Sequence, residues 1–341
     1  MTEQMQCLLV NKRADGKIER AVTACPTSEV PEGDVLVRVA YSSLNYKDAL
    51  AATGHPGIVS KFPHVPGIDA AGTVVESTSD KFKSGDKVIV TSFELGAARW
   101  GGYAEFVRVP ADWVVPLPDG LTLRESMALG TAGFTAAMCL EAIERQTIGP
   151  DRGDMIAPQL GDVVVTGASG GVGTLAVAIL SQIGYRVVAI SGKPAANDLL
   201  KQLGAAEVLA RDAVTDTSGK PLLKPRWAAA VDTVGGVVLG TLLRAMQPRG
   251  CVAACGLVGG ESLPATVYPF ILRGVTLAGI DSAQYPAGLR EPIWRNLASK
   301  WKPKLLDKIT TEVSLGGLEA KIQQILKGEI MGRVVVKIAG D

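Results

Sequence analysis

The stretch Asp162-Val163-Val164-Val165-Thr166-Gly167-Ala168-Ser169-Gly170-Gly171-Val172-Gly173 decides the fold of the middle of this chain. A short apolar run enters a glycine-rich turn, and a helix-like run, 174–180, follows. Strand, glycine turn and helix bind a dinucleotide diphosphate, because the helix N-terminus offers free N–H groups and the positive end of its dipole. Gly170 would let the backbone approach the phosphates, and Gly173 would let the helix pack closely on the strand. Ala168 replaces the first glycine of the G-x-G-x-x-G fingerprint, so a glycine turn in another kind of α/β unit is the alternative.

The residues after the next strand indicate which dinucleotide is bound. In NAD-binding units, an acidic residue about 20 positions beyond the glycines binds the ribose 2′-hydroxyl. Here Arg186-Val187-Val188-Ala189-Ile190 is followed by Ser191-Gly192-Lys193, and no carboxylate lies between Asp162 and Asp198. A hydroxyl, a backbone N–H and a cation accommodate a 2′-phosphate, which a carboxylate would repel. The sequence therefore favours NADPH over NADH, with a solvated surface role for Lys193 as the alternative.

Composition excludes several classes of protein. A chain of 341 residues predicts two domains. With 35 basic and 34 acidic residues, the chain offers no basic face for nucleic acid. The N-terminus lacks the apolar core of a signal peptide, and no run approaches the roughly 18 uncharged apolar residues that span a membrane. We therefore expect a cytoplasmic protein with no membrane segment. Its cysteines are odd in number and scattered, which predicts reduced, buried thiols: Cys7, Cys25, Cys139, Cys251 and Cys255.

The two ends of the chain differ from its middle. Residues 1–130 hold short strand-like runs separated by Pro and Gly, which predicts a small β-rich barrel domain. The tail, 283–341, ends in another strand-like run, 333–338, and is expected to complete this first domain. Gln146–Leu160 is polar, with Pro and Gly, and is expected to form an exposed loop.

Residues 131–282 alternate strand-like and helix-like runs. This alternation predicts a doubly wound parallel sheet, and hence an α/β protein with a β-barrel domain beside a Rossmann domain. The six predicted strands are Val163–Thr166, Arg186–Ile190, Glu207–Leu209, Ala228–Asp232, Cys251–Cys255 and Val275–Ile280.

The chain resembles the medium-chain dehydrogenase/reductase superfamily along essentially its whole length. The resemblance rests on Pro66–Val74, Gly85–Val88, Gly101–Glu105 and the glycine turn at Ala168–Gly173, and it implies a GroES-like β domain followed by a Rossmann domain. Zinc-dependent members carry Gly-His-Glu where this chain has Gly67-Ile68-Asp69, and they also carry a cluster of four cysteines for structural zinc. A tetrahedral thiolate site needs closely spaced cysteine pairs, which this chain lacks. The resemblance therefore implies a reductase without zinc.

Further motifs are similar to the acrylyl-CoA reductase branch, which has long been labelled quinone oxidoreductase. They are Ser42–Leu50, Gly130–Ala136, Cys251–Leu257 and Pro269–Arg273. Membership of this branch implies the NADPH-dependent reduction of the carbon–carbon double bond of acrylyl-CoA, a short enoyl-CoA, to propionyl-CoA. It also implies a homodimer. The open alternatives are a quinone or enone reductase and, from another class, a non-catalytic NADPH-binding redox sensor or lens-type structural protein.

The resemblance implies a role for individual residues. Tyr46 would contact the cofactor near the nicotinamide, with a barrel-surface aromatic as the alternative. Arg211 would bind the adenosine end, where a guanidinium pairs with phosphate or stacks on a base. Arg333 would be a late contact from the tail, or else a solvated arginine at a strand end. The remaining expected contacts are Ser169, Gly170, Gly171 and Val172 at the diphosphate, Ser191, Gly192 and Lys193 at the 2′-phosphate, and Leu257, Ile271 and Ser282 at the nicotinamide. For Leu257 and Ile271, a place in the apolar core is the alternative that the sequence leaves open.

The expected reaction places few demands on the protein. Hydride reaches the β-carbon of the thioester, and the charge that develops on the thioester oxygen needs a hydrogen-bond donor. Tyr46 could donate that hydrogen bond and Asn45 could polarise the carbonyl, whereas Lys47 and Asp48 could form a structural ion pair. A coenzyme A site needs cations for its phosphates, and a quinone site needs an apolar slot. The candidate cations are Lys61, Arg99 and Arg273.

Overall fold

The computed structural model describes residues 4–146 and 158–338. These residues divide into two compact units. The first comprises the chain up to Thr131, Ser282–Ser299 and the residues from Leu306 onward, and the second comprises Ala132–Asp281 and Lys300–Leu305. Most of the polar loop expected at Gln146–Leu160 lies outside the described residues.

The first unit is built mainly from strands. Its elements are β1 (Gln4–Lys12), β2 (Ile18–Pro26), β3 (Val35–Leu44), α1 (Tyr46–Ala52), β4 (Asp69–Ser77), β5 (Lys87–Thr91), β6 (Phe106–Val109), β7 (Val114–Pro116), α7 (Arg290–Leu297), β14 (Thr310–Ser314), α8 (Leu318–Leu326) and β15 (Arg333–Lys337). Strands β1 and β2 form an antiparallel hairpin, which the sequence analysis did not predict.

One seven-stranded sheet organises this unit, in the order β14-β15-β3-β4-β5-β7 with β6 also paired to β3. Along β3, Val35, Val37 and Val39 point to the same face, because strand side chains alternate. All three are buried in one cluster with residues of β4 and β5. The C-terminal strand β15 pairs antiparallel with β3, with Val334 opposite Leu44. This pairing joins residues 290 positions apart in the sequence at the edge of α1.

Helix α2 (Leu123–Arg145) is the longest in the described residues, and it is interrupted at Gly130, whose φ is 54° and ψ is −159°. By length and composition alone, α2 is apolar enough to cross a membrane. However, 83% of its most apolar window is buried inside the protein. Its apolar side chains therefore serve as core.

The second unit alternates strands and helices. Its elements are β8 (Val163–Val165), α3 (Gly171–Gln182), β9 (Val187–Ile190), α4 (Asn197–Gln202), β10 (Glu207–Leu209), β11 (Trp227–Asp232), α5 (Gly236–Ala245), β12 (Met246–Ala254), α6 (Tyr268–Arg273) and β13 (Thr276–Gly279). The strands form a six-stranded parallel sheet in the order β10-β9-β8-β11-β12-β13. This is the doubly wound arrangement expected from the sequence, and each of the six predicted strands overlaps an observed one.

The central strands of this sheet are covered on both faces. Every residue of β8 and β9 is buried, which explains why both read as continuous apolar runs rather than alternating ones. The chain order reverses between β8 and β11, which are neighbours in the sheet. In open α/β sheets, ligands bind at the carboxyl ends of the strands on either side of such a reversal.

Candidate functional site

The glycine turn lies at the carboxyl end of β8 and leads directly into α3. Gly173 packs against the turn so tightly that a Cβ atom there would lie 2.3 Å from the carbonyl oxygen of Gly167. Only glycine fits this contact, and the helix axis is thereby held close to the strand. The first-turn N–H groups of a helix have no partners within the helix, so Gly171 and Val172 place free donors at this end of the sheet.

Asp232, at the carboxyl end of β11, fixes the loops on both sides of the reversal point. Its buried carboxylate accepts hydrogen bonds from Thr166 Oγ1 (2.6 Å) and the Gly235 N–H (2.8 Å). Thr166 Oγ1 in turn accepts from the Thr233 N–H (3.1 Å). Burial raises the pKa of Asp232, and these hydrogen bonds oppose the rise. Sequence analysis missed Asp232, although an acidic residue ending a buried strand is a visible signal.

The residues expected to bind the 2′-phosphate lie together at the ends of β9 and β10. Gly192 is covered by the guanidinium group of Arg211, to which a Cβ atom at position 192 would come within 2.4 Å at Nε. Ser191 Oγ accepts a hydrogen bond from the Lys193 N–H (3.1 Å). The Arg211 side chain makes no hydrogen bond or ion pair with any residue in 4–146 or 158–338. The Arg211 guanidinium, the Ser191 hydroxyl and the backbone of Gly192 and Lys193 therefore meet here, and this donor set fits a 2′-phosphate.

Leu257 and Ile271 are exposed rather than in the core. Each is 68% exposed, Leu257 in the loop after β12 and Ile271 on α6. The plain-core alternative for these two residues is therefore wrong. A large apolar side chain in solvent is consistent with a ligand or partner contact.

Tyr46 is the first residue of α1 in the first unit, and its side chain is 46% exposed. Within the described part of the chain, its hydroxyl makes no hydrogen bond. The preceding residue, Asn45, caps the helix reciprocally with Asp48: the Asn45 N–H donates to Asp48 Oδ2 (2.8 Å). Asp48 Oδ1 also accepts from the Ile68 N–H (2.7 Å). The carboxylate of Asp48 thereby ties the start of α1, and with it Tyr46, to the entry of β4.

A network of buried polar side chains lies beneath α1. Asp69 Oδ2 accepts hydrogen bonds from Ser43 Oγ (2.5 Å) and Asn45 Nδ2 (2.8 Å), and Asp69 Oδ1 accepts from Thr131 Oγ1 (2.6 Å). Arg333 donates to Ser43 Oγ (2.9 Å) and to Asn45 Oδ1 (3.1 Å). Both ends of the Asn45 amide are thus engaged inside the protein. Asn45 is therefore not free to polarise a substrate carbonyl.

Burial perturbs the charges of this network. It raises the pKa of Asp48 to about 7, and the neighbouring carboxylate of Asp69 adds to the rise. Burial also lowers the pKa of Arg333, with Asp69 and Asp48 opposing the change. The Tyr103 hydroxyl donates to the Ser43 carbonyl (3.0 Å), and burial raises its pKa well above the usual value. No ion pair joins Lys47 to Asp48 in the part of the chain that is described, so that expectation is wrong.

The remaining predicted residues lie in the following places. Arg333 is buried, and its Nε donates to the Ala128 carbonyl (3.0 Å), so it is not a solvated strand-end arginine. Ser282 is half-buried, and its carbonyl accepts from Arg290 Nη1 (3.4 Å). Arg273 donates to three backbone carbonyls, those of Leu223, Arg244 and Met246. Because its guanidinium already donates to these carbonyls of the second unit, Arg273 is not available to bind a coenzyme A phosphate.

The other two candidate cations differ from each other. Arg99 contacts the carbonyls of Glu32 and Arg108 and lies 5.8 Å from the ring centroid of Trp113. Lys61 is exposed. Within the described ranges, no group of three or more His, Cys, Asp or Glu side chains has the geometry to hold a metal ion.

Comparison with known proteins places both units. The family model described as alcohol dehydrogenase GroES-like domain matches residues 31–119. The model described as zinc-binding dehydrogenase matches residues 171–299. The expected fold class, a GroES-like β domain with a doubly wound domain, is therefore confirmed.

Relatives with full-length similarity carry two names. The acrylyl-CoA reductase AcuI of Ruegeria pomeroyi is 46% identical, with 97% of this chain and 98% of that protein covered. YhfP of Bacillus subtilis, whose quinone oxidoreductase name is provisional, is 47% identical, with 99% of this chain and all of that protein covered. The crystal structure of Escherichia coli YhdH with bound NADPH is similar with a TM-score of 0.91 and 46% identity, over 97% of this chain and all of that one. The YhfP structure, with NAD bound, gives a TM-score of 0.93 and 48% identity, over 98% and 99%.

Together, the parallel sheet, the glycine turn and the GroES-like unit define a nucleotide-dependent oxidoreductase. The chain belongs to the medium-chain dehydrogenase/reductase superfamily, in the branch that holds the acrylyl-CoA reductases and their quinone oxidoreductase-like relatives.

Proposed function

We propose that this protein uses NADPH to reduce the carbon–carbon double bond of acrylyl-CoA to propionyl-CoA. The contact between Arg211 and Gly192 carries the choice of cofactor, because it places an uncommitted guanidinium beside Ser191 and Lys193. The choice of substrate rests on similarity to the acrylyl-CoA reductase of Ruegeria pomeroyi along almost the whole chain.

The residues of the second unit would hold the cofactor in a fixed orientation. The turn Ser169–Val172 would bind the diphosphate through backbone N–H groups at the start of α3. Ser191, Gly192, Lys193 and Arg211 would bind the 2′-phosphate, and the exposed side chains of Leu257 and Ile271 would contact the nicotinamide. When bound, NADPH supplies a hydride. Ser282 and Arg333 stay predicted cofactor contacts. For Arg333, the hydrogen bonds to Ser43 and Asn45 favour a structural role in the buried network under α1 over a cofactor contact.

Tyr46 is the candidate catalytic residue. An enoyl thioester accepts hydride at its β-carbon, so negative charge grows on the thioester oxygen and needs a positioned donor. The Tyr46 hydroxyl has a hydrogen to donate that no described residue already accepts, whereas Asn45 does not. Asp48 holds Tyr46 in position through the N-terminus of α1. The coenzyme A portion would contribute binding energy remote from the reacting carbons.

We also propose a cytoplasmic homodimer that acts on a small molecule and binds neither nucleic acid nor membrane. Val267, just before α6, and Tyr268 and Leu272 on α6 expose apolar side chains, and β13, which follows α6, is an edge strand of the sheet. Adjacent exposed apolar side chains of this kind are typical of surfaces that bind another chain. Light scattering coupled to gel filtration measures the mass directly, and a mass of 35.6 kDa would contradict the dimer.

Steady-state turnover of NADPH separates the candidate functions. We expect acrylyl-CoA to give a far higher kcat/KM than free acrylate, a long-chain enoyl-CoA or a benzoquinone. Faster turnover of the quinone would favour the function for which YhfP is provisionally named. NADPH binding without turnover of any acceptor would favour a non-catalytic protein.

A further inference from the structure

Three of the five cysteines lie in the second unit, and two of them are neighbours. Cys139, on α2, is buried, whereas Cys255, directly after β12, is partly exposed. The neighbouring Cys255 thiol, together with burial, raises the pKa of Cys139 well above its usual value.

The packing of α2 on β12 supports this contact independently. Cys251 Sγ, on β12, lies 3.8 Å from the carbonyl oxygen of Ala142 on α2. Cys139 precedes Ala142 by three residues, so both lie on the same face of the helix. That face of α2 therefore packs along β12. Cys251 lies within β12, and Cys255 lies four residues further along the chain.

Cys255 is also joined to the nucleotide-binding edge of the sheet. Its N–H donates to the Asp232 carbonyl (2.9 Å), and its Sγ lies 3.5 Å from the same oxygen. The carboxylate of Asp232 holds Thr166 and Gly235, on the two sides of the reversal point. Gly256 lies so close to Thr233 that a Cβ atom there would come within 2.1 Å of the Thr233 carbonyl oxygen. A displacement of Cys255 would therefore reach the loops expected to hold the cofactor.

We propose that Cys255 and Cys139 are a redox pair that forms a disulfide on exposure to peroxide and thereby weakens cofactor binding. This regulation rests on the proposed function only for its effect on NADPH, because the disulfide itself can form whatever the substrate is.

The chemistry proceeds in two steps. The Cys255 thiolate attacks a peroxide oxygen; an S–O bond forms, the O–O bond breaks, and hydroxide leaves and takes up a proton. Sulfur loses two electrons to the peroxide and becomes a sulfenic acid. Cys139 sulfur then attacks Cys255 sulfur; the S–S bond forms, the S–O bond breaks, and the departing hydroxide takes the Cys139 proton as water. A dithiol reductant returns two electrons and restores both thiols.

A second close pair, Cys7 and Cys25, provides an internal comparison. Their Sγ atoms lie 2.6 Å apart on β1 and β2. Both residues are buried, at 0% and 3% exposure, so a peroxide in solution reaches neither sulfur. Oxidation of thiols depends on access as well as on thiolate character. Because Cys255 is partly exposed, peroxide should oxidise the Cys139–Cys255 pair rather than the Cys7–Cys25 pair.

The experiment is peptide mapping of the reduced, folded protein after treatment with hydrogen peroxide. Free thiols are alkylated under denaturing conditions, and disulfide-linked peptides are identified by mass spectrometry. We expect a Cys139–Cys255 link that dithiothreitol removes. Cys139→Ser should instead leave a sulfenic acid on Cys255 that dimedone traps, and Cys255→Ser should leave Cys139 unmodified. Cys251→Ala, on the same strand, should not affect the link.

NADPH affinity is measured on the oxidised and reduced forms by fluorescence titration. We expect at least a tenfold weaker affinity after oxidation, reversed by dithiothreitol and absent in Cys255→Ser. Full alkylation of Cys139 and Cys255 after peroxide, or a link between Cys7 and Cys25 alone, would overturn the redox pair. An unchanged affinity in the linked form would overturn its regulatory effect. Failure of the reduced protein to bind NADPH would instead contradict the proposed function and leave the disulfide result standing.

Discussion

The guanidinium group of Arg211 rests on the backbone of Gly192, so closely that a side chain at position 192 would displace it. This contact brings a cation from the end of β10 to the residues that follow β9, where a dinucleotide-binding sheet meets the adenosine ribose. The relationship matters because relatives of similar identity were crystallised with different cofactors, YhdH of Escherichia coli with NADPH and YhfP of Bacillus subtilis with NAD.

Replacement of Lys193 by glutamate should erode or reverse a preference for NADPH. The change removes a charge-assisted contact to the 2′-phosphate and adds a repulsion, so the ratio of kcat/KM for NADPH to that for NADH should fall on the order of a hundredfold. Arg211→Ala should move the ratio in the same direction. Lys201→Glu, at the end of α4, alters the same net charge away from the site and serves as the control. Equal kcat/KM values for the two cofactors in the unaltered enzyme would contradict the assignment of NADPH as the preferred cofactor.

Removing the hydroxyl of Tyr46 tests its catalytic role. Tyr46→Phe keeps the ring, so NADPH affinity should change little. If the hydroxyl donates to the developing enolate, kcat for acrylyl-CoA should fall roughly ten- to a thousandfold. An unchanged kcat would leave Tyr46 as a residue that only packs against the cofactor.

Asp48 should make stability depend on pH. Its pKa is about 7 in the folded protein, whereas an unperturbed aspartate, as in the unfolded chain, has a pKa of 3.8. Between these two pH values, the unfolded chain has lost a proton that the folded protein keeps. The free energy of unfolding should therefore decrease as pH rises from 4 to 7 and level off above 7. For this group alone the decrease is at most about 4 kcal/mol.

Urea denaturation across this range should show a weaker decrease in Asp48→Asn than in the unaltered protein. Asp119→Asn, an exposed aspartate of the same unit, is the control and should keep the original slope. Identical slopes in all three proteins would show that Asp48 does not titrate in this window.

Gly130 should tolerate no side chain. Its positive φ disfavours any other residue, and a Cβ atom there would lie 2.6 Å from Asp69 Oδ2 and 2.8 Å from Arg333 Nη2. Gly130→Ala should cost about 1–3 kcal/mol through the backbone alone, with an added loss from the displaced network. Gly288→Ala enters open space in the same unit and should leave Tm unchanged. Comparable Tm values for the two variants would contradict this account.

Chelation should leave activity and thermal stability unchanged. Zinc prefers several thiolates and imidazoles around one point, and in the described residues no three His, Cys, Asp or Glu side chains are grouped so as to hold a metal ion. Incubation with EDTA followed by NADPH turnover and a Tm measurement tests this, with a zinc-dependent dehydrogenase treated in parallel. Stoichiometric zinc that is lost together with activity would prove the expectation wrong.

The sequence sufficed for the nucleotide-binding unit because its signals are local. Buried parallel strands read as apolar runs, and the glycine turn is contiguous. It did not predict the hairpin of β1 and β2, because Cys25 is the only fully buried residue of β2, so that strand presents no run of buried apolar residues. Nor did it predict the network of Asp48, Asp69 and Arg333, since these residues meet only after β15 has paired with β3. The assignment of individual cofactor contacts stays a prediction.

The donors around Asp69 limit how this lineage could change. Ser43, Asn45 and Thr131 present four donor groups to its two oxygens, with the Thr131 N–H shared between them, which matches the number of acceptor positions on a carboxylate. A metal ion at Asp69 would therefore meet a carboxylate that is already saturated. Each donor displaced by an incoming cation would be stranded without an acceptor, at about 1–3 kcal/mol apiece. A descendant with metal-dependent chemistry is thus several coordinated substitutions away, and the first of them would be selected against for stability before any metal could bind.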